Sequence, residues 1–136
     1  MITLGVNDLE RSTRYYEALG WRRSSASQDS ISFLVGGTVV LGLFGRDDLA
    51  TDAAVEFATG GQYAPITLAM NLASPEAVDA ALADAQAAGG RITKPAEETE
   101  WGGYSGYVAD LDGHLWEIAH NPFATLLETG QMVLSE

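Results

Sequence analysis

The side chains able to do acid–base or nucleophilic chemistry gather near the C-terminal end of the sequence: Ser105, flanked by Tyr104 and Tyr107, then His114, Glu117 and His120. A carboxylate on a strand that lines a cavity can give or take a proton, so Glu117 is the best catalytic candidate. His114 directly follows Asp112-Gly113, a tight-turn signal, and has the opposite strand parity to Glu117; it reads as a turn or surface histidine. His120 shares that parity at a strand end. Ser105 has no base partner legible in the sequence. The chain has no cysteine, which excludes disulfides, thiolate zinc sites and cysteine nucleophiles. It also lacks a nucleophile elbow, a glycine-rich phosphate loop and a His-Glu-X-X-His pattern. Trp101 precedes Gly102-Gly103, a pair that lets backbone approach a ligand or a neighbouring part of the fold closely. The run Glu97-Glu98-Thr99-Glu100 reads as a solvated loop.

The elements that must position these groups show an internal repeat. Ile2-Thr3-Leu4-Gly5-Val6-Asn7 recurs as Ile66-Thr67-Leu68-Ala69-Met70-Asn71. A helix follows each copy. The first starts at the N-cap Asp8 and stops at Gly20; the second starts at Ser74-Pro75 and stops at Gly89-Gly90. Strand-like runs come next, at about 21–25, 30–35 and 38–44 in the first half and 91–95, 103–110 and 114–119 in the second. Gly36-Gly37 and Asp112-Gly113 mark the turns between the last two strands of each half. Both halves read strand–helix–strand–strand–strand, a mixed α+β pattern. Module one spans residues 1–44 and module two 65–121, within a single domain over 1–136. The acidic connector 45–64 carries a short helical turn at 46–50, and a tail occupies 122–136.

At 136 residues the chain fits one domain with a core of its own. Seven basic against nineteen acidic residues give a net charge of −12, which repels phosphate backbones and anionic membranes. No apolar stretch approaches the ~20 residues of a membrane helix. The first eight residues lack the basic start and apolar run of a signal peptide, so a cytoplasmic location is expected, with neither nucleic acid nor membrane as partner.

Two stretches resemble a known family. Leu4-Gly5-Val6-Asn7-Asp8-Leu9-Glu10-Arg11-Ser12, continuing to Tyr15-Tyr16 and Leu19-Gly20-Trp21, is similar to the opening of the vicinal-oxygen-chelate superfamily of glyoxalases, bleomycin-resistance proteins and extradiol dioxygenases. The segment from Trp101 through Tyr107, then Asp110-Leu111-Asp112-Gly113-His114-Leu115-Trp116-Glu117 and Asn121-Pro122, looks like the end of its glyoxalase-like subgroup. Leu111 stands where that family usually has proline. The resemblance implies two βαβββ modules forming a curved mixed sheet around a cavity. It also implies a divalent metal held by one side chain from the first and last strand of each module. Those places fall on Met1, Pro65, Glu117 and, by setting Gly37 against Gly113, Leu41. Only Glu117 is a ligand for a hard cation, so neither a metal nor another cofactor is expected.

Alternation along the strands then outlines a pocket. Residues two apart share a face, which puts Thr3 and Gly5 with Met1, Thr67 with Ala69, and Val39, Leu41 and Leu43 opposite Leu115, Glu117 and Ala119. The ligand-binding candidates are Thr3, Thr67, Leu41, Trp101, Tyr104, Tyr107 and Glu117; which face of the strand near 103–110 lines the cavity stays open. Trp21 and Trp116 read as core packing between sheet and helix. A mostly apolar pocket with few polar points suits a small molecule. The resemblance implies a metal-independent protein that sequesters an aromatic or amphipathic compound; the alternative is a metal-dependent lyase, isomerase or dioxygenase of the same superfamily. Open sheet edges imply a homodimer.

Overall fold

In the first half, the capping logic of the sequence sets the helix. The computed structural model describes residues 1–52 and 67–133, which fall into two compact units, Met1–Ala64 and Pro65–Glu136. In the first unit, strand β1 (Ile2–Val6) leads into α1 (Leu9–Ala18), whose first turn is capped by Asp8 accepting from the Arg11 N–H. Three strands follow: β2 (Arg22–Arg23), β3 (Ile31–Gly36) and β4 (Val39–Gly45). They form a sheet in the order β1-β4-β3-β2, with β1 parallel to β4 and the other pairs antiparallel. A short helix, α2 (Arg46–Asp52), closes the described part of this unit. It lengthens the helical turn expected at 46–50, and the remainder of the connector lies outside the described residues.

The second unit repeats the plan. Strand β5 (Thr67–Asn71) precedes α3 (Pro75–Ala87), capped by the Ser74 hydroxyl accepting from the Ala77 N–H. Then come β6 (Arg91–Glu98), β7 (Tyr104–Ala109) and β8 (Leu115–His120), in the sheet order β5-β8-β7-β6 with the same parallel and antiparallel pairings. Residues 97 and 98 of the supposed acidic loop belong to β6. The tail folds back as a small hairpin, β9 (Thr125–Leu126) with β10 (Met132–Val133), which the sequence reading did not anticipate. No helix among the described residues is long and apolar enough to cross a membrane.

Each helix covers one face of its sheet. In the first unit the Thr13 hydroxyl of α1 lies 2.9 Å from the buried Ser32 hydroxyl of β3. Leu34, Leu41, Leu43, Leu4 and Val6 are buried with them. In the second, Val78, Leu82 and Ala85 of α3 bury against Val108, Trp116 and Ile118. Helix and sheet approach closely at Gly106: a β-carbon there would come within 2.8 Å of both Leu82 Cδ1 of α3 and the Ala96 backbone nitrogen of β6.

Candidate functional site

The pairing register of the second unit decides which side chains share a face. On β8, Glu117 stands opposite Ala69 of β5 on one side and Tyr107 of β7 on the other; Tyr107 in turn faces Lys94 of β6. Directly opposed residues point to the same side of a sheet, so Ala69, Glu117, Tyr107 and Lys94 form one row on the face turned away from α3. Thr67, Leu115, Ala109 and Arg91 form the row before it; Asn71, Ala119, Ser105 and Glu97 form the row after. Thr67, Ala109, Ala119 and Ser105 are the small residues beside the central row, and Ser105, Ala109 and Ala119 are buried. The phenol of Tyr107 and the carboxylate of Glu117 are half-buried among them.

Lys94 brings a positive charge to this face. Its ammonium lies 2.8 Å from the Glu97 carboxylate. That hydrogen bond, then the charge of Glu97, holds its pKa above the ordinary lysine value, with smaller contributions from the charges of Tyr107 and Glu117. The row therefore offers an ammonium, a phenol and a carboxylate in line, a set that can hold a compound with an acceptor at one end and a donor at the other. Two shifts in pairing, between Ile92 and Lys94 and between Lys94 and Glu97, put Lys94 and Glu97 on this face together. Simple alternation along the sequence cannot reveal them.

The other sequence candidates fall elsewhere. Tyr104 is on the opposite face, donating its hydroxyl to Asp79 of α3 at 2.9 Å. Trp101 sits in the β6–β7 turn with its ring stacked on Gly103. Thr3 belongs to the first unit, where it is exposed beside Gly42 on the face away from α1. Leu41 is a correction: it is fully buried, stands opposite Leu34 and faces α1 with Leu43 and Val39. The cause is unequal turns. Gly36 pairs with Val39, leaving only Gly37 and Thr38 between β3 and β4, whereas Ala109 pairs with Leu115 across residues 110–114. Matching the turn glycines misplaces β4. Thr3 pairs with Gly42 as Thr67 pairs with Leu115, so the counterpart of Glu117 is Phe44, opposite Gly5.

The longer turn explains His114. The buried Asp110 carboxylate accepts from the backbone N–H groups of Asp112 and His114 and contacts the His114 ring at 2.8 Å. The imidazole thus serves the turn. His120 places Nδ1 3.0 Å from the Leu72 carbonyl on the α3 face. Ser105 shares its row with Asn71, Ala119 and Glu97, and no imidazole stands there.

Two units of strand, helix and three strands, each with its first and last strands paired in parallel, define a paired βαβββ architecture. The sequence profile of the Glyoxalase/Bleomycin resistance protein/Dioxygenase superfamily matches residues 1–118, and the chain belongs to that superfamily. Among solved structures, a glyoxalase-related enzyme from Fulvimarina pelagi is 34% identical, with a TM-score of 0.89 over 99% of this chain and 96% of its own. A glyoxalase/bleomycin resistance protein from Albidiferax ferrireducens T118 is 28% identical, with a TM-score of 0.66 over 89% of this chain and 96% of its own. The lactoylglutathione lyase of Agrobacterium tumefaciens is 16% identical, with a TM-score of 0.63 over 89% and 92%, a likeness of fold alone. No curated protein matches the chain.

The divalent metal implied by the superfamily does not fit the donors of either unit. Glu117 has an ammonium and a phenol for row-mates, and the corresponding place in the first unit is Phe44. Met1 offers a thioether, a soft donor poorly suited to a hard cation; Pro65 lies outside the described residues. No group of three or more His, Asp or Glu among the described residues is placed to hold a metal.

Proposed function

We propose that this protein binds a small aromatic or amphipathic molecule without a metal, on the face of the second unit that carries Glu117, Tyr107 and Lys94. The observation supporting this reading is the cross-strand row itself: one carboxylate, one phenol and one ammonium among small residues. Thr67 and Leu115, one row away, would line the apolar end of the ligand. Lys94 and Glu117, with Tyr107 between them in the row, would hold its acceptor and its donor groups. Small-molecule sites are commonly built this way, with few polar groups fixing orientation on a largely apolar surface. The same reading places the protein in the cytoplasm as a homodimer.

A thermal-shift screen run with and without a chelator tests the proposal. A ligand that binds only the folded chain raises its melting temperature, and the rise keeps growing as its concentration exceeds the dissociation constant. The expected result is a set of aromatic or amphipathic hits whose shifts are unchanged by chelator and lost on Tyr107→Ala. Hits that vanish with chelator would contradict it. They would favour the second reading, a metal-dependent lyase, isomerase or dioxygenase, which the description of the Fulvimarina relative as an enzyme supports.

A further inference from the structure

The α3 side of the second unit holds a separate cleft of about 550 Å³, within the usual size range of small-molecule sites. It lies on the opposite face of the sheet from Glu117. Its floor is another cross-strand row, in which Glu98 stands opposite Tyr104 and Tyr104 opposite His120. Its wall is the start of α3, with Glu76 and Asp79. At its mouth are Gly102 and Gly103.

Hydrogen bonds already made on the floor fix what the cleft can offer. The Tyr104 hydroxyl gives its proton to Asp79, leaving the phenol oxygen with lone pairs only. A carbonyl can only accept, so the 3.0 Å contact of His120 Nδ1 with the Leu72 oxygen makes Nδ1 the donor. In the neutral ring Nε2 then carries the lone pair. Glu76, Asp79 and Glu98 are carboxylates, so apart from the Thr99 hydroxyl every polar side chain lining the cleft is an acceptor. Two aromatic rings flank the paired glycines at the mouth. Trp101 lies over Gly103 and Phe123 beside Gly102, and they are 49% and 71% exposed. Acceptors lining the cleft and two exposed aromatic rings against its glycines suit a cation, which gains from both kinds of group.

We propose that this cleft binds a small organic cation, an ammonium or guanidinium on an apolar body, with its charged head among Glu76, Asp79 and Glu98 and its body against Trp101 and Phe123. The site is independent of the one proposed on the Glu117 face, and either can fail without the other. Amide NMR of the intact chain, titrated with benzylamine and separately with benzyl alcohol, tests it. Benzylamine should give saturable shifts at Gly102, Gly103 and Tyr104, and benzyl alcohol, of the same shape without the charge, should give none there. Asp79→Asn combined with Glu98→Gln should weaken benzylamine about fivefold or more, as expected for partly exposed charge pairs. The comparison of the two probes on the native chain stands even if that variant folds poorly. Equal responses to both probes, shifts centred on Tyr107 and Glu117, or no saturable shift would overturn the proposal.

Discussion

Glu117 owes its interest to the company its strand keeps. One row places Tyr107 and Lys94 beside it, and a single pairing error would remove both. Glu117→Gln keeps shape and hydrogen-bonding capacity while deleting the charge. A neutral ligand of this face should therefore bind the variant as it binds the wild type, whereas a cationic one should weaken by about 1.5 kcal/mol; calorimetry on both proteins checks this. Gly106 makes a different demand, because any β-carbon there meets Leu82 and the Ala96 backbone. Gly106→Ala should cost about 2 kcal/mol in denaturant unfolding, the usual price of overpacking. Glu117 and Tyr107 were legible in the sequence as chemistry-bearing groups on strands. Lys94 was not, because β6 shifts register on both sides of it and its parity follows from no regular pattern. Tyr104 and Tyr107 were both legible as candidates; alternation puts them on opposite faces, and the pairing and the Tyr104–Asp79 hydrogen bond show which face each takes.

At the scale of elements, both helices begin where capping chemistry puts them. Asp8 and Ser74 have extended backbones and accept from the first turn, as their side chains suggest in the sequence. The start of α3 also tunes Glu76. Its carboxyl is held below the ordinary glutamate value first by a backbone N–H, then by the Ser74 hydroxyl. A lowered folded-state pKa adds stability that is present above the unfolded value and lost as pH falls through the folded one. The wild type should therefore be more stable than Glu76→Gln at neutral pH, and the difference should close as pH falls below 4.5; unfolding curves across pH would show a constant gap if this is wrong. In the first unit, the buried Thr13–Ser32 hydrogen bond joins α1 to β3. Thr13→Val should destabilise by about 1–3 kcal/mol by leaving the Ser32 hydroxyl unsatisfied, and adding Ser32→Ala should recover part of the loss. The order of elements along the chain followed from the repeat, but the β3–β4 turn did not. A glycine occurs in both equivalent hairpins, while only the second has an Asp110 to organise a longer loop. The C-terminal hairpin was equally hidden, since its strands are too short to show alternation.

At the scale of the whole molecule, charge and exposed apolar surface pull in opposite directions. A net charge of −12 resists association, yet Trp101, Phe123, Leu127, Met132 and Val133 are large side chains left exposed in the second unit. Strands β1 and β2 edge one sheet, β5 and β6 the other, and edges are commonly covered by a partner. If the protein is a homodimer, sedimentation velocity at tens of micromolar, roughly where weak dimers dissociate, should show it, and added salt should strengthen it by screening like charges. A monomer throughout would remove that part of the proposal. The central claim is that Glu117 serves a ligand and holds no metal. Elemental analysis of the wild type and Glu117→Gln, both expressed with divalent metals supplied and purified without chelator, tests it most directly. Both proteins should carry the same substoichiometric metal; a stoichiometric divalent metal in the wild type that disappears in Glu117→Gln would show that Glu117 is a metal ligand.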